Sequence, residues 1–323
     1  MGLFDHFIRA HRRKKILNGV RTLRNLTVGE VMSRYVITVR PDDEVIKAAT
    51  KMIAEDISCI AVVDNEVPVG IISERDILKR VPLSKKVFAM RVSEVMRKPI
   101  LTVPPTMKLP EAMALMAKNS IRRLAVVENG KLAGLITQTD FTKAIAKNFQ
   151  AYPVVPDLSV RNVMSQKIFM LPTNGTIAQA KDMMVKNDIG VIIIVDKLKD
   201  PQPLGIMTEY DIVMQFYDQQ GQLELKDIKD YMRKYVRAVP VETSVFQTNK
   251  LMLEKNMRRA LVVDGTKMVG IITQTTICRF FYPNLDLIEK AANDPKAELR
   301  KFSLEAEIHG EFHGEHLKVY DIG

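Results

Sequence analysis

The chain has 323 residues, 46% hydrophobic and 27% charged, with a formal net charge of +10. This is a globular composition with room for two ordinary domains. It excludes a bilayer-spanning segment, because apolar runs such as Val191 to Val195 are far shorter than the ~20 residues a membrane helix needs. Two cysteines, Cys59 and Cys278, and the lack of an uninterrupted apolar leader point to a reducing, cytoplasmic setting. His6 stands where a myristoylation signal wants Ser or Thr.

Residues 1–26 read as a basic amphipathic helix. Leu3, Phe4, Phe7, Ile8, Ile16, Leu17, Val20 and Leu23 recur at helical spacing, and Gly19 weakens the middle. Arg9, Arg12, Arg13, Lys14, Lys15, Arg21 and Arg24 fill much of the remainder, giving residues 1–25 seven basic side chains against one acid. Such an arm either docks on the rest of the chain with its charges in water, grips RNA or another polyanion, or lies on an anionic membrane surface. The separate block Arg12 to Lys15 favours the polyanion over the membrane.

From residue 27 the chain repeats itself four times. The clearest mark is Gly70-Ile71-Ile72-Ser73-Glu74-Arg75-Asp76, Gly134-Leu135-Ile136-Thr137-Gln138-Thr139-Asp140, Gly205-Ile206-Met207-Thr208-Glu209-Tyr210-Asp211 and Gly270-Ile271-Ile272-Thr273-Gln274-Thr275-Thr276, the last without its aspartate. Met32, Met96, Met164 and Met232 open the copies. A short strand ending near proline follows, then an apolar-striped helix such as the one through Val45, Ala48 and Met52, then a hairpin turning at Asn129-Gly130 or Asp264-Gly265, then a second helix. Each copy is therefore predicted as strand, helix, strand, strand, helix, with a surface excursion at Lys197 to Pro203 in the third.

Copies two and four share an arginine doublet, Arg122-Arg123 and Arg258-Arg259, where copies one and three have Ser58-Cys59 and Gly190-Val191. The unit is thus a pair, residues 27–150 and 157–281, joined by the proline-marked linker Tyr152 to Asp157. Residues 282–323 form an acidic tail, helical over Leu285 to Lys301 and strand-like over Phe302 to Ile308.

Ser or Thr followed three residues later by an acid is sufficient as a helix-capping box. The same pair at a strand-to-helix turn also suits a ribose diol, as in dinucleotide-binding folds, and spacing leaves both readings open. The arginine doublets are either solvated pairs or a shared phosphate site. No catalytic residue is expected: all five histidines lie outside the repeats, and Cys59 reads as an inert buried thiol. His309, His313 and His316 match no standard zinc spacing, so no metal site is assigned.

Taken together, the opening Val-Met, the proline-ended first strand, the Arg-Arg-Leu-Ala-Val-Val type strand and the Gly-x-x-Thr-x-x-Asp turn resemble the CBS (cystathionine-β-synthase) domain, in four tandem copies over residues 27–281. The resemblance implies an α/β (α+β) fold of four βαββα repeats in two paired modules, as in the gamma regulatory subunit of AMP-activated kinase. It implies regulatory binding of an adenine nucleotide (AMP, ADP or ATP) rather than turnover. Carried over by position, Ser73 with Asp76, Thr137 with Asp140, and Thr208 with Asp211 would hold riboses, and Thr273 marks a fourth site put in doubt by Thr276. Thr38, Thr102, Met170 and Ala238 would line adenine edges, and Arg122, Arg123, Arg258 and Arg259 would meet phosphates. Occupancy would pass to a partner: RNA or the ribosome through the basic arm, or a kinase or other enzyme that the chain regulates. The rival reading is a ribosome- or nucleic-acid-associated stress factor that uses the repeats as scaffold. A homodimer is admitted.

Overall fold

Each copy folds as strand, helix, strand, strand, helix in a computed structural model that describes residues 23–83, 90–148, 158–199, 201–218, 225–265, 267–293 and 317–318. Copy one comprises strand β1 (Thr38–Val39), a helix at Val45–Ala54, β2 (Cys59–Asp64), β3 (Val67–Ser73) and a helix at Glu74–Arg80. β1 runs parallel to β2, and β2 antiparallel to β3, in a sheet ordered β1-β2-β3. Copies two, three and four repeat this order, each with a register shift at the same place in its hairpin.

Burial explains why the second strands read as continuous apolar runs. In β2, Ile60 and Val62 face the helices while Ala61 faces the sheet of copy two. A strand covered on both faces cannot alternate apolar with polar residues. The helix Val45–Ala54 buries Val45, Ala48, Ala49 and Met52, one stripe at helical spacing.

Sheets pack copy one against copy two and copy three against copy four, around Ala61, Ala125 and Leu135 in the first case and Ile193, Val195 and Leu261 in the second. Helices join the copies the other way. One large core holds copies one and three together, with Ile77 and Leu78 among Ile177, Ile212 and Val213; another holds copies two and four, with Phe141 among Phe246 and Phe281. The four copies therefore close a ring.

The opening segments cross over within each pair. Ser33 bridges to Leu135 of copy two and Arg97 to Ile71 of copy one; Ser165 and Arg233 do the same with Ile271 and Ile206. This exchange explains the motif glycine. A Cβ on Gly134 would stand 2.6 Å from the Met32 sulfur, and Gly70, Gly205 and Gly270 meet Met96, Met232 and Met164 in the same way. The glycine and the methionine are two halves of one contact, contributed by different copies.

Two details depart from the sequence reading. The last helix runs unbroken from Gln274 to Asn293 through Pro283, so the boundary expected after residue 281 falls inside it. Proline forgoes one helical hydrogen bond, and burial of Phe281 and Leu285 on either side offsets it. Cys59 is only half-buried, since it stands at the mouth of a cavity; Cys278 is the sealed thiol, and burial pushes its pKa up. Copies three and four open with 3-10 turns (Val160–Asn162, Ile228–Asp230) where copies one and two have short α-helices. The linker Tyr152 to Asp157, residues 1–22 of the arm and the expected tail strand lie outside the described residues. Of the tail, a two-residue strand at Leu317–Lys318 extends the fourth sheet.

Candidate functional site

The four motif turns are helix caps. The Ser73 backbone N–H donates to Asp76 Oδ2 at 2.9 Å, as do the Thr137 N–H to Asp140 and the Thr208 N–H to Asp211. The hydroxyls of Ser73, Thr137 and Thr208 donate to the same oxygens. In copy four Thr276 takes over, accepting from the Thr273 N–H at 2.9 Å and donating back to the Thr273 carbonyl at 2.8 Å. The capping role thus uses one carboxylate oxygen per aspartate, and the second oxygen decides what else each turn can do.

Those second oxygens differ. Asp76 Oδ1 pairs with Arg97 Nε at 2.9 Å, and Asp211 Oδ1 with Arg233 Nε at 2.5 Å. Asp140 has no such cation: among the described residues no salt bridge engages it, and Thr137 and Asp140 line a cavity. Burial raises the Asp140 carboxyl pKa against the opposing Thr137 hydrogen bonds and the Lys143 charge.

That cavity, about 900 Å³, opens at the centre of the ring and draws its walls from all four copies. Its lining includes Thr137 and Asp140, with Tyr35, Val36 and Ile37 from the exchanged opening segment of copy one. It also includes Thr273 and Thr276, with Lys167, Ile168 and Phe169 from the corresponding segment of copy three. Arg122, Arg123, Arg258 and Arg259 line the same cavity. Ser73, Asp76, Thr208 and Asp211 do not reach this cavity. Thr38 and Thr102 line neither this cavity nor the smaller one beside copy one; residues just before them, Ile37 and Leu101, are the ones that do. Met170 and Ala238 are likewise absent from both linings.

The centre holds charges that motif matching passed over. Arg75 Nε donates to Glu209 at 2.6 Å, and Arg122 stands 3.9 Å from the same carboxylate. Arg258 is 3.8 Å from Glu74, whose Oε1 is buried without a hydrogen-bond donor. Burial carries the Glu74 pKa up to about 7, the nearby Glu209 adding to it and Arg258, Arg123 and Arg259 opposing it. Arg122, crowded by Arg123 and desolvated, is pulled down to about 10, and burial lowers Arg259 too. In copies two and four glutamine replaces these acids, and Thr139 and Thr275 each donate to the other copy's glutamine, Gln274 and Gln138, at 2.7 Å. The sequence did carry a signal for this layer: the residue after each motif hydroxyl is Glu or Gln in every copy.

Of the arm's basic residues, Arg9, Arg12, Arg13, Lys14, Lys15 and Arg21 lie outside the described residues. Arg24 sits in a turn at Leu23–Asn25 whose Leu23 is buried in the core of copies two and four. Among the described residues no group of His, Cys, Asp or Glu is arranged to hold a metal, and no helix is long and apolar enough to cross a membrane.

Comparison with known proteins agrees with this geometry. Protein MJ1404 of Methanocaldococcus jannaschii is 26% identical over 307 residues, 90% of this chain and 67% of its own length. Protein MK0525 of Methanopyrus kandleri is 38% identical over 121 residues, 36% of this chain and 62% of that one, so the chain spans about two thirds of the length of these relatives. Among solved structures, protein MJ1225 of M. jannaschii, proposed as an archaeal homolog of g-AMPK, superposes with a TM-score of 0.70 at 17% identity, covering 79% of this chain and all of that one, a likeness of fold. The CBS domain model matches residues 28–83, 92–147, 160–218 and 228–282, and the chain belongs to the CBS-domain family.

Proposed function

We propose that this chain is a non-catalytic regulatory protein that takes up an adenosine-containing ligand of the AMP, ADP or ATP class and passes its occupancy to a partner. One observation carries the reading: an aspartate with an uncommitted oxygen, Asp140, shares a cavity with six arginines, among them Arg75, Arg122, Arg123, Arg258 and Arg259. A carboxylate accepts both hydroxyls of a ribose, and guanidinium forks match phosphate oxygens. In this arrangement the base lies against Tyr35, Val36 and Ile37, the ribose on Asp140, and the phosphates toward the arginines. Those arginines also hold Glu209 and Glu74 of the opposite pair. An arriving phosphate competes for the same guanidiniums, so binding shifts the balance of contacts between the two pairs.

Calorimetric titration with adenosine, AMP and ADP tests this. Asp140→Asn keeps a capping oxygen but loses the charge, and weakens all three ligands by about 10- to 100-fold, the worth of a charged hydrogen bond. Arg122→Gln weakens AMP and ADP and leaves adenosine unchanged. Affinities within twofold of the original protein in Asp140→Asn would overturn the reading.

A further inference from the structure

The four turns are equivalent in the fold, yet one residue distinguishes them: the residue that follows each opening methionine, Ser33, Arg97, Ser165 and Arg233. Because the opening segments cross over, this residue is delivered to the motif of the other copy in the pair. In copies one and three the delivered residue is an arginine, and it lands on the oxygen that the cap leaves over: Arg97 on Asp76 at 2.9 Å, Arg233 on Asp211 at 2.5 Å. Copies two and four receive serine. Copy four has no carboxylate, because Thr276 stands in its place.

The consequence is steric and electrostatic at once. A ribose offers two neutral hydroxyl donors, whereas Arg233 already supplies Asp211 with a charged hydrogen bond, roughly twice as strong, and Arg97 already neutralises Asp76 as an ion pair at 2.9 Å. Space for a base is present next to copy one: a second cavity of about 580 Å³ is lined by Ile71, Arg97, Ile100, Leu101, Ile121 and Arg123. Arg97 is among its lining residues and Asp76, the carboxylate it pairs with, is not.

Resting on the nucleotide reading above, we infer that Arg97 and Arg233 are built-in plugs that close two of the four ribose positions, leaving Asp140 as the single ribose grip per chain. Thr276 removes the fourth position, and the plugs decide how many of the three remaining aspartates can take a ligand. Serine already occupies the equivalent place in the other two copies, so exchanging the two residue types is compatible with the fold.

Titration of the full chain with AMP, with thermal melting as a folding control, reads the stoichiometry directly. The unaltered protein is expected to bind one AMP, Arg97→Ser two, and Arg97→Ser with Asp76→Asn one again. Ser33→Arg, which sends a plug to Asp140, is expected to bind none, and it decides the matter alone if Arg97→Ser does not fold. An unaltered protein that binds one AMP while Arg97→Ser still binds one and Ser33→Arg keeps its site would overturn the plug and leave the nucleotide reading intact. An unaltered protein that binds no AMP, with Arg97→Ser equally silent, would overturn the nucleotide reading itself.

Discussion

Glu74 is a buried acid in a ring of arginines, and its position makes it the residue through which pH acts on the centre. Unfolded, such a group titrates near 4.5; folded, it titrates at about 7. Between those values the folded chain keeps a proton that the unfolded chain has lost. Stability from this group is therefore greatest below pH 4.5 and declines as pH rises to 7, by an amount on the order of 3 kcal/mol. Glu74→Gln is expected to flatten that slope in melts taken from pH 5 to pH 8. Protonation also removes a negative charge from the arginine cluster, so ADP binding should tighten as pH falls through 7, and should lose that dependence in the glutamine variant. A second residue tests backbone strain. Glu66 turns the first hairpin at φ 68, where a side chain is unfavourable by roughly 1–2 kcal/mol. Its salt bridge to Lys131 is exposed at both ends and weak. Glu66→Gly should raise stability by about 1 kcal/mol or less, read as a shift in the urea midpoint.

Among the elements, the exchanged opening segments matter most, because they fix how two copies meet. Gly134 is bare so that the Met32 sulfur and the Ser33 carbonyl can approach it, at 2.6 and 2.8 Å from where a Cβ would sit. Gly134→Ala should cost about 1–3 kcal/mol through overpacking. In a double-mutant cycle with Met32→Ala its effect should depart from additivity by more than ~0.5 kcal/mol; strict additivity would mean the two halves of the contact act separately. The elements themselves were legible beforehand. Apolar stripes predicted the helices, and Asn129-Gly130 predicted a turn that the structure makes with φ 52 and 77. What spacing could not reveal is the crossover, since Met32 is only five residues into the first copy in sequence and belongs to the second in space. Thr38 and Thr102 show the same limit: matching by position placed them on the right strands, one or more residues past the segment that faces the cavity.

In the whole molecule, a polar centre sits among large apolar cores. Glu209 is nearly sealed from solvent and is held by Arg75 across the boundary between the two pairs, with Asp188 on the far side of the same guanidinium at 3.1 Å. Removing one partner of a buried pair strands the other charge, so Arg75→Ala should destabilise the fold by about 3–5 kcal/mol. Arg75→Met with Glu209→Gln should recover most of that loss, as followed by denaturant unfolding. Failure of the pair to recover would point to packing, and not charge, as the role of Arg75.

Sequence alone determined the repeat, its strand and helix order, the family likeness and the arginine doublets, because each of these is written in local spacing or in short-range chemistry. It also exposed both roles of the hydroxyl-and-acid turn, cap and ribose grip, without choosing between them. Tertiary structure shows the cap in every copy and separates the copies by what else each turn meets. A carboxylate has two oxygens: in the three copies that carry an aspartate the cap claims one, and the residue arriving from another copy decides whether the second is spent on an arginine or left facing a cavity. That arrival depends on the crossover of the opening segments and the closure of the ring, and no run of neighbouring residues encodes either.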